Sequence, residues 1–357
     1  MKKLLLITDV DFWNGGAGHR VRIGALVSYL GDNTELYIAY IGIVSPMETP
    51  RIAELKATVI ILDNEDILSP MKYGEKLAEK TKDIRLDAVI IEYIHLSYML
   101  NFVNEDVTML LDMHDIVSDR TEAFHKFNYG GIIHEMSAED EFGIMDVYDH
   151  VMVLCEPDRK KLYDIIPGKV ILCPHPNLVH RRLVRPKVNT ITYIASEYLP
   201  NVDAIIHFME TAWPLVSAEK NIELHIYGNV CHPLMGRELP ARVFLKGYAA
   251  DINKVYDNAD IIINPVRFGA GMKIKTLEAL ASTVPLVTTA HGARGLEQLA
   301  GKGLIIVDNT EDFAFEIQRL INDCLIRQRL VAEAGDFIEQ NYGPEKCFAP
   351  LSDAIQL

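Results

Sequence analysis

The sequence predicts an α/β fold of two doubly wound domains, and three observations predict it. Near-continuous runs of Val, Ile and Leu alternate with helical patterns from end to end. Runs of that kind mark parallel strands covered by helices on both faces. The alternation comes in two series, separated by the basic, proline-containing and aperiodic stretch PHPNLVHRRLVRPKVN (174–189). Finally, 357 residues are too many for one ordinary domain and suit two of common size.

The first series places strands at 4–7, 36–40, 58–62, 88–92, 109–112, 151–154 and 170–172, with amphipathic stretches such as 19–30 and 73–82 between them. The opening MKKLLLITDVDF imitates a secretory leader, but its apolar run is short and Asp9 and Asp11 end it, so it reads as a buried first strand. The second series places strands at 190–195, 223–227, 243–246, 261–264, 286–288 and 304–307. Its helices are expected at 201–218, 251–258, 273–282, 294–300 and 311–335. The final QNYGPEKCFAPLSDAIQL breaks at Gly343–Pro344 and restarts as a short helix. The expected division is a domain over 1–175, a linker over 176–189 and a domain over 190–343, two Rossmann-like sheets whose strand C-termini face a common cleft.

Composition narrows the function. Hydrophobic residues at 49% and charged residues at 24% fit a soluble globular chain. The net charge of −15 argues against nucleic acid as a partner while leaving room for a local anion pocket. Five scattered cysteines without CxxC spacing read as reduced thiols of a cytoplasmic protein, with neither a zinc site nor a disulfide framework. No run of eighteen uncharged apolar residues offers a membrane span.

The segment VRFGAGMKIKTLEALA (266–281) concentrates the chemistry. Gly269 and Gly271 allow close approach to a ligand, and a helix expected to start near Met272 offers its amides and positive dipole end to phosphate. Ile274, Leu277 and Ala281 form the core face, with Lys275 and Glu278 on one flank and Lys273 on the other. One reading is a cation for phosphate beside a carboxylate for two ribose hydroxyls. The other is an ordinary i,i+3 ion pair worth about 0.2–0.5 kcal/mol.

The longer run NADIIINPVRFGAGMKIKTLEALASTVPLVTTAHGARGL (258–296) resembles the C-terminal nucleotide-binding signature of the GT-B glycosyltransferases, in particular glycosyltransferase family 4, the glycosyl transferases group 1. Upstream, ITYIASEYLPNVDAIIHFMETAWPLV (191–216) and IELHIYGN (222–229) are similar to the opening strand–helix–strand of the same domain. The resemblance implies that Glu278 holds the ribose hydroxyls, that amides around Thr276 and Leu277 hold phosphate, and that Gly247 and Tyr248 of LKGY lie near the base. Two departures stand out. The family's earlier glutamate would fall at Ala270, and the loop ASEYLPNVDA lacks the family's basic pair, so Lys273, Lys275 and Arg267 are the natural replacements.

In the first series, DVDFWNGGAGHRVR (9–22) departs from GxGxxG, and its loop is by itself a common turn. The resemblance makes Gly15 and Gly16 part of the loop facing donor phosphate and acceptor. His19, Arg20 and Arg22 follow, and a solvated helix face is the plainer reading of at least one of the arginines. LLDMHDIVSDR (110–120) puts His114 and Asp115 at a strand end, where this architecture binds ligands. The resemblance makes His114 a contact of the transferred sugar, with Asp115 a candidate orienter or acid/base group. The acidic run 135–141 reads as a solvated helix face. His95 and the tyrosines of EYIHLSYML (92–100) either stack on an acceptor sugar or pack in the core.

The expected function is therefore transfer of a sugar from a nucleotide-sugar donor to a glycan, lipid-linked or small-molecule acceptor in surface polysaccharide or glycoconjugate synthesis. His114, Asp115 and Lys275 are the candidate catalytic set. The resemblance implies retention and no obligatory metal or other cofactor, and no DxD cluster stands where metal-dependent transferases carry one. A sugar-nucleotide epimerase on the same fold would need a carboxylate pair that is not evident. A non-catalytic binding or partner subunit is kept open by Ala270. The basic HRRLVRPK (180–187) is either a peripheral contact with the cytoplasmic membrane face or a solvated linker. Residues 344–357 are expected to pack back on the first domain, and the two domains to close around the donor.

Overall fold

The computed structural model describes residues 1–62, 69–104, 106–130, 134–217 and 221–357. The chain divides into Met1–Pro176 with Pro344–Leu357, and Asn177–Gly343. In the first unit β1 (Lys3–Thr8), β2 (Glu35–Ile41), β3 (Thr58–Leu62), β4 (Ala88–Glu92), β5 (Thr108–Asp112), β6 (His150–Val153) and β7 (Val170–Leu172) form one sheet in the order β3-β2-β1-β4-β5-β6-β7. Every pairing is parallel. Between the strands run α1 (Gly18–Asn33), α2 (Thr49–Ala53), α3 (Pro70–Thr81), α4 (Val117–Lys126), α5 (Ala138–Met145) and α6 (Glu156–Tyr163).

Successive side chains of a strand point to opposite faces, so each strand serves two cores. Leu5, Ile7, Val89, Ile91 and Leu111 pack with Leu77 of α3, Met145 of α5 and Leu162 of α6. Leu4, Leu6, Ile90 and Leu110 pack on the other face with Ile23, Leu26 and Leu30 of α1.

The second unit repeats the plan. Its strands are β8 (Thr190–Ile194), β9 (Glu223–Tyr227), β10 (Val243–Gly247), β11 (Ile261–Asn264), β12 (Leu286–Thr288) and β13 (Ile305–Ile306), in the order β10-β9-β8-β11-β12-β13, again all parallel. Its helices are α7 (Leu199–Thr211), α8 (Trp213–Ser217), α9 (Ile252–Asn258), α10 (Ile274–Ala281), α11 (Thr310–Asn322) and α12 (Cys324–Asn341). The chain then returns to the first unit in α13 (Pro344–Ala354), whose Phe348 and Leu351 join the α1 core. There the Phe348 ring lies 4.9 Å from that of Tyr29, and Ser352 hydrogen-bonds the Tyr29 hydroxyl at 2.8 Å.

Strand order reverses between β1 and β4 in the first sheet and between β8 and β11 in the second. Loops that leave such neighbours diverge to opposite faces and leave a crevice beyond the strand C-termini, the place where open α/β sheets bind ligands.

Several expectations need correction. The helix expected over 311–335 is two helices, because Asp323 leaves helical geometry and its carboxylate caps α12 by accepting from the Ile326 amide at 3.0 Å. The helix expected over 201–218 breaks before Trp213, where Pro214 fits only a first turn; residue 218 lies outside the described residues. Only Glu297–Leu299 of the expected 294–300 helix forms, as a 3₁₀ turn. In the acidic run, Glu141 is fully buried and accepts from the Val117 and Ser118 amides at 2.6 and 2.8 Å, capping α4.

The expected linker, 176–189, is bound to the second unit. The His180 amide donates to the Ala281 carbonyl at 2.8 Å, and the buried Arg327 donates to the carbonyls of Arg185 and Pro186 at 2.7 and 2.8 Å. Arg181 pairs with Asp336 and Glu339, Arg182 with Asp257 and Arg185 with Asp260. The arginines of this stretch thus face carboxylates of their own unit.

Candidate functional site

The second unit's switch point is built by the loops after β8 and β11 and by α10. Asn264, the last residue of β11, donates through its side-chain amide to the Thr276 hydroxyl at 2.9 Å. Thr276 in turn donates to the Gly292 carbonyl at 2.7 Å, which locks the start of α10 to β11 and to the turn after β12. The intervening turn needs φ of +122° at Gly269 and +64° at Gly271, angles that side-chain-bearing residues avoid. Lys273 folds back and donates to the carbonyls of Ala270 and Gly271 at 2.8 and 3.0 Å, so it braces the turn. Arg267 makes a two-pronged pair with Asp203 of α7 at 2.7 and 2.9 Å.

Lys275 and Glu278, both half-buried, do not bond each other. Lys275 donates to the Asn201 side-chain oxygen, and its ammonium lies 5.5 Å from the centre of the Tyr193 ring. Glu278 accepts a weak hydrogen bond from the Tyr256 hydroxyl at 3.4 Å. Burial, reinforced by the neighbouring Lys273, pushes the Lys275 ammonium down to about 7. Burial pushes the Glu278 carboxyl up to about 7 against the pull of Tyr256 and Lys275. Both groups are thus held by neutral partners at the edge of ionisation, which is the condition a charged ligand relieves. The His291 Nε2, beside the same turn, is buried with no hydrogen-bond partner, and burial and Lys273 push the imidazole down to about 3.

The amides expected to hold phosphate need correction. Because α10 starts at Ile274, those of Thr276 and Leu277 donate to the Lys273 carbonyl at 2.9 and 3.4 Å and carry its first turn. The amides of Ile274 and Lys275 are the ones without an intrahelical partner. Gly247, at φ of +70°, ends β10 on the sheet edge, and the Tyr248 side chain after it is exposed.

In the first unit, Gly15 and Gly16 turn the chain into α1 at φ of +59° and +80°. Arg20 spans that loop to Asp11, with two hydrogen bonds of 2.7 Å. Arg22 is neither solvated nor on a face: it is fully buried and pairs with Asp112 at 3.1 and 3.4 Å. It also donates to the Pro174 carbonyl at 3.1 Å and lies over the Phe348 ring. His114 hydrogen-bonds through Nε2 to Glu92 at 2.8 Å, and its ring stacks on Tyr93 at 4.2 Å. Asp115 is not its orienter, because both Asp115 oxygens accept from Arg120 at 2.8 and 2.9 Å.

Burial lowers the His114 pKa, so this imidazole is neutral at pH 7. His95 hydrogen-bonds Asp9 at 2.8 Å and stacks on His134 at 4.3 Å, so it is not core packing. Among the described residues one cluster has ligand atoms spaced for a metal ion, Glu92, Asp112 and His114, and Arg22 already neutralises its Asp112.

Glu92, Asn201, Tyr256 and His291 were not singled out from sequence. A usable signal existed for Glu92: AVIIE is a wholly apolar strand that ends in a carboxylate, as TMLLD is one strand further on.

Residues 188–323, most of the second unit, match the family described as glycosyl transferases group 1. A Klebsiella pneumoniae relative described as an uncharacterized 44.6 kDa protein in the cps region is 26% identical over 172 residues, 45% of this chain and 44% of the relative. The chain therefore aligns with under half the length of that relative. Among solved structures, a S. aureus TarM mutant in complex with Fondaparinux, alpha-GlcNAc-glycerol and UDP is 12% identical, with all of both chains covered and a TM-score of 0.77. Anabaena HepE in complex with UDP and glucose is 11% identical, with all of both chains covered and a TM-score of 0.74. A sucrose-phosphate synthase from Thermosynechococcus elongatus is 12% identical, covering 100% of this chain and 98% of its own, at a TM-score of 0.76. The chain has the two-domain GT-B fold.

Proposed function

We propose that the chain is a nucleotide-sugar-dependent glycosyltransferase that builds a surface polysaccharide or glycoconjugate. The observation that carries this reading is the pair Lys275 and Glu278. They stand at a glycine-preceded helix mouth, inside the segment matched to glycosyl transferases group 1, and neither neutralises the other. Lys275, with Lys273 and the Ile274 and Lys275 amides, would take the donor diphosphate, and Glu278 the ribose hydroxyls. His114 would meet a hydroxyl of the transferred sugar.

A lysine and helix-end amides placed at the leaving diphosphate stabilise its charge as it develops. That is the work a divalent cation does elsewhere, so turnover is expected to survive chelation, and the group 1 match favours retention. UDP-sugars are the first donors to test, since the TarM and HepE structures are complexes with UDP. The cps region of the Klebsiella relative favours a polysaccharide acceptor, glycan or lipid-linked. Among the described residues no helix is long and apolar enough to cross a membrane; a cytoplasmic enzyme, with Arg181, Arg182 and Arg185 paired to carboxylates rather than to lipid, is part of the proposal.

Ala270 favours a second reading, a nucleotide-binding partner subunit without turnover, because the carboxylate expected on the donor sugar is missing. A panel of UDP-, GDP-, dTDP- and CMP-sugars separates the readings. Thermal stabilisation by one of them with sugar transfer or release in EDTA supports the enzyme. Stabilisation without cleavage, with or without acceptor, supports the partner subunit, and no stabilisation by any donor removes both.

A further inference from the structure

Glu92 closes β4, and its side chain is wholly buried. Oε2 hydrogen-bonds His114 Nε2 at 2.8 Å, while Oε1 has no hydrogen-bond partner. Asp112, also wholly buried, is its neighbour on β5: a carboxylate oxygen of each and a ring nitrogen of His114 lie within 4.8 Å of one another. Asp112 is satisfied by Arg22. Glu92 instead spends its one hydrogen bond on an imidazole. Two carboxyl groups side by side in a sheet interior are costly, and an orphaned oxygen adds to the cost. A leucine would fill the same volume without either penalty. The fold therefore does not ask for Glu92; the histidine does.

The ring of His114 is held from two directions. Tyr93 stacks on it at 4.2 Å and 14°. Both residues sit at positive φ, +66° for Tyr93 and +38° for His114, conformations that side-chain-bearing residues keep only where the surroundings enforce them. Tyr93 thus fixes the plane of the ring, and Glu92 fixes its edge. An imidazole bound at Nε2 offers its other nitrogen, Nδ1, in one form: bare if Nε2 donates to the carboxylate, N–H if the carboxyl donates to Nε2.

We propose that Glu92 is the positioning residue that fixes the tautomer of His114, so that Nδ1 meets a hydroxyl of the transferred sugar always as the same kind of partner. The catalytic half of this inference rests on the glycosyl-transfer reading above; the tautomer half does not.

The test uses the full chain with ¹⁵N-labelled histidine. In the free wild-type protein His114 is expected in a single tautomer, and in Glu92→Gln, whose amide can donate or accept, in a mixture or the opposite form. An unchanged tautomer in Glu92→Gln overturns the proposal. With the best nucleotide sugar, Glu92→Gln and Glu92→Leu are expected to lower kcat by about ten- to hundredfold, the size of effect seen when the hydrogen-bond partner that orients a metal-ligating histidine is removed. The donor KM should move by less than about twofold, and the Tm of Glu92→Leu should hold or rise, a split a merely structural role does not give. A fall in Tm with unchanged kcat makes Glu92 structural and overturns the proposal. If the wild type turns over no donor, the glycosyl-transfer reading falls, and the tautomer measurement alone upholds or overturns the hold of Glu92.

Discussion

The two strand-end clusters handle charge in opposite ways. In the first unit the buried cation is matched inside the protein, Arg22 to Asp112, and Glu92 is tied to the neutral imidazole of His114. In the second unit Lys275 and Glu278 are held by an asparagine oxygen and a tyrosine hydroxyl, which orient them without cancelling them. The first arrangement is a fixed scaffold. The second keeps its electrostatic capacity for something that arrives from solution. Fold similarity alone does not distinguish the two, because both clusters stand beyond strand C-termini at or beside a parallel sheet's switch point.

The sharpest way to break this comparison is to remove one cation from each cluster. Arg22→Met leaves Asp112 buried and unpaired, so it is expected to cost about 3–5 kcal/mol in denaturant unfolding. Lys275→Met leaves Glu278 free to stay protonated and is expected to cost less than about 1 kcal/mol. Equal losses in the two variants would show that the second cluster is also scaffold.

Next in size is ligand affinity. Lys275→Ala and Glu278→Gln should each weaken the best nucleotide by about ten- to hundredfold, the worth of a charge-assisted hydrogen bond of about 1.5–3 kcal/mol. Calorimetric titration measures this, and wild-type affinity in both variants would return the pair to an ordinary helix surface.

The pH dependence of stability is a smaller effect with a definite sign. A carboxyl raised to about 7 binds protons more tightly folded than unfolded, so Glu278 contributes stability at low pH that is lost as pH rises from about 4.5 to about 7. A lysine lowered to about 7 binds protons less tightly folded, so its penalty, full below about 7, is relieved as pH climbs towards 10.5. The pair thus puts a shallow minimum near neutrality into the stability profile. Glu278→Gln should remove its acid-side limb, and an identical limb in the variant would assign it elsewhere.

The smallest effect expected is on membrane binding. With Arg181, Arg182 and Arg185 paired to carboxylates of their own unit, flotation with anionic liposomes at low salt should capture little protein, and strong capture would show those pairs opening.

The strands were legible because a two-sided parallel sheet writes each one as an unbroken apolar run, and LLLI, AVII and IIIN can be little else. The glycine turn and its lysines were legible from their own local pattern. What was not legible depends on partners far apart in sequence. Asn201 reaches Lys275 across 74 residues, and Arg22 reaches Asp112 across 90, so no local periodicity announces either. Glu141 looked like one more charge on a solvated helix, since its role is set by the exposed amides of α4. The 311–335 run concealed a break, since Asp323 is an ordinary surface residue until its carboxylate turns to cap the next helix.

The return of α13 to the first unit bears on synthesis. Asn177–Gly343 is an insertion within that unit, so residues 344–357 leave the ribosome only after all of it has been made. At about 5–20 residues per second the intervening stretch takes roughly ten to thirty seconds. Until then, the face of α1 that Phe348, Leu351 and Ile355 will cover, around Tyr29, lies open to water or to a chaperone. The inserted unit has its own core and sheet and can fold while the first one waits. The order of folding is then the reverse of the order of translation: the unit begun second is finished first.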